Sequence, residues 1–268
     1  MISFLSEVDR LGGILKDAPT GSFSTDATKL LSKVAFHEKF SQEILPELRK
    51  RHSEKSHLLE HDCVFSDECL VLFVHEHFTI EIYHWLYSDT GIHDHNFQGA
   101  FQCLEGEDHQ VEFRFESAKE IFEGLEEGKL IEVSNFIIRP GDTQEIRNDD
   151  HFIHAVAHSP STWNICIRTK GDKSQVLKAY HTQGYRYALR KDREQNLLMY
   201  ELDDLKIETL ESADLLHMFH MLGTKPGHHD FRKNIDRQLS ERHGVSYLAM
   251  SEETSSYLNQ MGRVAKNY

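Results

Sequence analysis

The chain has 268 residues, enough for one large domain with a full core or for a core domain with additions at its ends, and its texture favours the second arrangement. Its 44 acidic residues against 30 basic ones leave a formal charge of −14, which repels a phosphate backbone and an anionic lipid surface, so neither nucleic acid nor a membrane is an expected partner. No apolar run reaches the roughly 18 residues that span a bilayer, and "MISFLSEVDRLGG" meets Glu7 before any basic or long apolar region, so a cleaved secretion signal is not expected either.

In chain order, residues 1–60 read as a helical N-terminal extension. Leu30, Leu31, Val34, Ala35 and Ile44 recur at mostly helical spacing over 26–51, with Asp26 as the expected N-cap and Pro46 as a break near the end. From 61 to 184 the texture changes to short runs rich in Val, Ile, Phe, Tyr and Trp, among them "FTIEIYHWLY", "FQGAFQCLEG", "QVEFRF", "LIEVSNFII", "HFIHAVAHS" and "TWNICIRT". Turn formers separate them, notably Gly91, Gly106 and the Pro140, Gly141, Asp142 series, while "LEEGKL" reads as a solvated turn. Many short strands at regular spacing predict an antiparallel sandwich or barrel. Residues 185–268 return to helical patterns such as "DFRKNIDRQLSERHG", with Gly244 as a stop. This second extension is expected to pack on the barrel, as a lid, a buttress or the surface of a homodimer. The four cysteines, at 63, 69, 103 and 166, show no CxxC pairing and read as reduced thiols of a cytoplasmic protein.

Nineteen histidines make placement the deciding question. In "GIHDH", strand alternation sends His93 and His95 to one face and Asp94 to the other, so the two imidazoles form a ready chelate. Beyond the Pro140 and Gly141 turn, "FIHAVAH" sets His154, Val156 and His158 on a shared face, and His154 is the expected third ligand. Three facial nitrogens leave coordination positions open, which suits a non-haem metal centre and also accepts Mn, Co, Ni, Cu or Zn. His158 is expected to steady a liganding imidazole by hydrogen bonding and to stand close to the chemistry. On "NICIRT", Asn164, Cys166 and Arg168 alternate with Ile165 and Ile167, so Arg168 is the expected clamp for an acidic group on a substrate.

Other histidines carry blander expectations. His75 and His77 in "VHEHF" fall between two strand-like runs and read as an exposed hairpin turn. His84 shares parity with Ile82 and Leu86 and reads as a satisfied core histidine. His217 and His220, amid Met218, Phe219, Met221 and Leu222, read as part of a packed helix, and His228 and His229 as a loop.

An HxH segment closed by a glycine, followed by a Pro-Gly segment that leads to a single histidine, resembles the two-part signature of the cupin superfamily. The resemblance implies a double-stranded β-helix, the cupin or jelly-roll barrel, with helical extensions at both ends. A glutamate usually follows HxH by a few residues, and here those places hold Gly99 and Ala100, so three histidines without a glutamate are expected. Over residues 78–170, "FTIEIYHWLYSDTGIHDHNFQGAFQCLEG" and "HAVAHSPSTWNICIRT" are similar to the cysteine dioxygenase-like, thiol dioxygenase branch. That likeness implies Fe(II) held by His93, His95 and His154, with dioxygen as co-substrate. There is no arginine between Arg51 and Arg114, where enzymes acting on free cysteine hold its carboxylate. The expected activity is thus oxygenation of a small thiol or another small polar metabolite. A metal-binding barrel without oxygenase chemistry, whether isomerase-like, lyase-like or ligand-sensing, is the alternative, and a purely structural or binding protein is a third.

Overall fold

The computed structural model describes residues 3–53, 66, 68–86, 90–149, 152–172, 177–189, 211–212, 215–216, 219 and 229–265. Helices α1 (Phe4–Leu15), α2 (Phe23–Leu31) and α3 (Leu45–Ser53) precede eleven strands, and α4 (His229–His243) and α5 (Tyr247–Ala265) follow them. The strands are β1 (Glu68–Val74), β2 (Phe78–Trp85), β3 (Thr90–His93), β4 (Gly99–Glu105), β5 (Asp108–Phe122), β6 (Leu125–Ile138), β7 (Thr143–Ile146), β8 (Ile153–His158), β9 (Thr162–Thr169), β10 (Leu177–His181) and β11 (Tyr185–Leu189). Five of them pair in the order β1-β2-β9-β4-β7, and β10-β11-β6-β5-β8-β3 close into a barrel. The fold is mainly β, a jelly-roll barrel with helices at both ends, as the strand texture predicts. Among the described residues no helix is long and apolar enough to cross a membrane.

Strand alternation gives β2 and β9 two different jobs. Ile80 and Ile82, with Ile165 and Ile167 opposite, face outward and are covered by Leu11, Phe23, Leu31 and Phe40 of the N-terminal helices. Tyr83, Trp85, Asn164 and Cys166 face inward and line a cavity between the sheets. Both faces are therefore dry, and every residue of β2 is buried. Burying the outer isoleucine face stabilises by roughly 1.5–3 kcal/mol per side chain, so the N-terminal helices belong to the barrel's core.

Several expectations are corrected. The helix predicted over 26–51 is interrupted: α2 starts at Phe23, so Asp26 lies inside its first turn, where it accepts from Ser22 Oγ at 2.7 Å instead of capping. It stops at Leu31, where Gln102 of β4 donates its Nε2 to the carbonyls of Leu31 (3.1 Å) and Val34 (3.3 Å) and gives the exposed helix end a buried partner. Pro46 opens α3 instead of ending a helix, since the first turn needs no amide hydrogen there. "LEEGKL" is part of β6 and no turn; the reversal falls at Gly124, and the charged outer halves of β5 and β6 form a half-exposed ribbon without apolar alternation. The segment 185–268 is not helical throughout, because β11 pairs with β10 and β6. Cys69 is disulfide-bonded, so the cysteines are not all reduced thiols; Cys103 and Cys166 are free and buried. Gly244, at φ 72°, ends α4 as expected. His217, His220 and His228 lie outside the described residues.

Candidate metal centre

Two pairings place the ligands. β3 and β8 run antiparallel with His93 directly opposite His154, so one register decision sets two imidazoles side by side. His95 lies two residues beyond the end of β3 and returns to the same face. Asp94 is held away from them: its Oδ1 accepts from the Lys178 amide at 2.7 Å and its Oδ2 from the Tyr180 hydroxyl at 3.2 Å, which ties the end of β3 to β10. Alternation thus predicts the outcome for all three positions, although only His93 is on a strand.

One ligand nitrogen from each of His93, His95 and His154 falls within 4.8 Å of the others, and this is the one such group of three among the described residues. His93 Nδ1 donates to Gly91 O at 2.7 Å, which fixes the hydrogen on Nδ1 and leaves Nε2 as the ligand atom. His95 Nε2 and His154 Nε2 face each other at 2.8 Å, and the Nδ1 atoms of both rings are buried without a hydrogen-bond partner among the described residues. Two neutral imidazoles in this position must either oppose lone pairs or share one hydrogen and leave a buried N–H unmade. A cation bound by both Nε2 lone pairs removes their opposition, so the residues fit a metal. Burial holds His93 below the ordinary imidazole range and His95 and His154 well below it, with the neighbouring imidazolium charges adding to the effect on the last two. All three are accordingly neutral, the form that binds metal. Phe97 and Phe152 flank His95 at ring-centroid distances of 4.6 and 5.9 Å and keep the group dry.

Of the two places where the resemblance would put a fourth, carboxylate ligand, Gly99 and Ala100, the first has no room for one. Gly99 packs so closely on β9 that a Cβ there would stand 2.0 Å from Ile167 O and 2.8 Å from Arg168 Cα. Any side chain must push two paired strands apart. Gly99→Ala is therefore expected to cost about 3 kcal/mol, the upper end for overpacking a closed core. Chemical denaturation checks this, and an unchanged midpoint would refute the contact.

The structure brings His158 to the cavity and pairs Arg168 with Glu81. His158 does not support a ligand histidine as expected. Its Nδ1 lies 2.7 Å from Asp108 Oδ1, and its ring stacks on Trp85 at 3.9 Å and 8°. Arg168 instead makes a bidentate pair with Glu81, Nε to Oε2 and Nη2 to Oε1, both at 2.9 Å, and its fork is engaged there instead of facing the cavity. Asp108 was not singled out by the sequence, though it pairs directly across from His158 in the β5–β8 register. Its position at the start of a strand, two residues past Gly106, resembles an ordinary turn aspartate. His84 is satisfied by Glu68 Oε2 at 2.8 Å and Ser161 Oγ at 3.0 Å, and His75 and His77 sit on the turn between β1 and β2, as expected.

No family model matches the chain, and no curated protein matches it. Solved structures do. Hydroquinone 1,2-dioxygenase from Sphingomonas sp. TTNP3 is 13% identical, with 46% of this chain and 77% of that one covered and a TM-score of 0.31. A cupin superfamily protein from Desulfitobacterium hafniense DCB-2 is 12% identical over 41% of this chain and 84% of that one, at a TM-score of 0.25. The DMSP lyase DddQ from Ruegeria pomeroyi DSS-3 is 10% identical over 54% and 75%, at 0.31. Neighbours with different activities at this level of likeness say nothing of what this chain does, and none of the three is named as a thiol dioxygenase.

Proposed function

We propose that the protein is an Fe(II)-dependent oxygenase that uses dioxygen on a small-molecule substrate bound in the barrel. The observation that carries this reading is the three-imidazole group with no room for a carboxylate at Gly99, because three neutral ligands leave the most positions open for substrate and dioxygen. Iron bound there supplies the electron transfer that lets triplet dioxygen react with a closed-shell molecule. The chain's own residues hold the geometry and exclude water. Phe97, Phe101, Ile146 and Val156 give the cavity apolar walls, and His158 with Asp108 provides a positioned proton acceptor inside it.

That same Asp108–His158 pair favours a second reading, in which a metal acts as a Lewis acid and His158 moves a proton, as in isomerisation or elimination. Oxygen uptake separates the two. Protein loaded anaerobically with Fe(II) is expected to consume dioxygen in the presence of a small thiol or hydroxylated substrate, and His154→Ala protein is expected not to. Turnover or solvent deuterium exchange under strict anaerobiosis, with no oxygen consumed, would transfer the assignment to the second reading.

A further inference from the structure

The cavity has a second polar end, lined by His158, Asn164 and Trp85. β8 carries both: His154 and His158 are four residues apart on one face, which sets their Cα atoms roughly 13 Å apart along the strand. Between them the lining is apolar and largely aromatic, from Val156, Phe101 and Tyr83.

Hydrogen-bond accounting gives the chemistry of the far end. Asp108 is fully buried, and a carboxylate only accepts. Its Oδ1 therefore takes the hydrogen of His158 Nδ1, and in the tautomer that this bond selects Nε2 is an acceptor. Its Oδ2 takes a hydrogen from Asn164 Nδ2 at 2.8 Å, which fixes the orientation of that amide. Asn164 Oδ1 is then a second acceptor, buried in the cavity lining and without a hydrogen-bond partner among the described residues. Trp85, stacked on His158, adds a buried Nε1–H that also lacks one. Leaving such groups unmade costs stability, so each calls for a partner on the cavity side.

We infer that this end recognises a neutral hydroxyl group on a flat, apolar body: the hydroxyl donates to His158 or Asn164 and accepts from Trp85, and the body lies between the aromatic walls. A carboxylate is rejected there, because it would set its lone pairs against two acceptors and its charge near that of Asp108. Asp108 is a positioning residue in this arrangement, since it fixes both the imidazole tautomer and the amide orientation. The inference relies on the oxygenase reading only for what happens at the other end of the cavity, so its test uses metal-free protein.

The experiment is calorimetric titration of the metal-free full chain near neutral pH with phenol, toluene and benzoate, three probes of one body and different heads. Phenol is expected to bind about tenfold more tightly than toluene, the worth of one good buried hydrogen bond, and benzoate more weakly than either. In Asn164→Leu, and in the double variant Asp108→Leu/His158→Phe that removes the pair without stranding a charge, the phenol-to-toluene ratio is expected to fall to about threefold or less. The ratio is the readout because general loosening of the barrel weakens both probes alike. Should the double variant not fold, Asn164→Leu carries the test. Benzoate binding more tightly than phenol, a ratio unchanged in the variants that fold, or no phenol binding at all would overturn the inference. None of these results depends on iron, so loss of this inference and loss of the oxygenase reading are separate events.

Discussion

Replacing His154 or His95 by alanine is expected to lower the metal content of Fe(II)-reconstituted protein from about one ion per chain to below about a tenth. Each substitution removes one of three ligand nitrogens, and with Gly99 closed against β9 there is no carboxylate at the usual fourth position to compensate. His93→Ala is expected to behave in the same way, because the Gly91 carbonyl that orients this ring then orients nothing. The chain supplies its own control. His75 and His77 have the same HxH spacing and ring centroids 5.5 Å apart, but they lie on a turn and no third metal-binding side chain joins them among the described residues, so the double alanine variant is expected to keep its iron. The pH dependence follows from burial. All three ligands are held below the ordinary imidazole value, so protons compete only below about pH 6.5, and iron is expected to stay bound through neutral pH and to leave as the solution is acidified further. Elemental analysis after buffer exchange measures all of this. Iron retained in His154→Ala, or lost from the His75 and His77 variant, would remove the site.

How much of this centre the sequence discloses depends on the range of the interactions involved. The ligand histidines are legible because alternation within a strand is local: "GIHDH" and "FIHAV" each fix a face without knowledge of the partner. The register that sets His93 opposite His154 is not local, and neither is the close approach of Gly99 to Ile167, so the absence of a glutamate is legible while the reason no side chain fits there is not. The same limit explains the misjudged helix at 26–51. Its apolar spacing continues past Leu31, but the buried amide of Gln102, some seventy residues away, takes the carbonyls that a continuing helix would have used. The outer halves of β5 and β6 escaped because they are charged on both faces, which removes the period-two pattern on which strand prediction rests.

Arg168 is the sharpest case of a residue whose type and face were legible and whose partner was not. Parity placed it inside the barrel beside Asn164 and Cys166, and a buried guanidinium beside a cavity invites the role of substrate clamp. Glu81 lies on the neighbouring strand at the same face, only 2% exposed, and accepts from Thr79 Oγ1 at 2.7 Å, Tyr83 OH at 2.5 Å and both arms of the Arg168 fork. The pair is thus part of a buried hydrogen-bond network, and its removal should be felt in stability. Arg168→Met is expected to destabilise the fold by about 3–5 kcal/mol, because the Glu81 carboxylate stays buried with its hydroxyl donors but no counter-charge. Adding Glu81→Leu in the same chain is expected to recover much of that loss, since replacing both charges with apolar groups removes the desolvation cost along with the attraction. Urea midpoints of the wild type, the two single variants and the double variant close this cycle. An Arg168→Met protein as stable as wild type would reopen the clamp assignment, because the guanidinium would then have been held in the barrel for something other than Glu81.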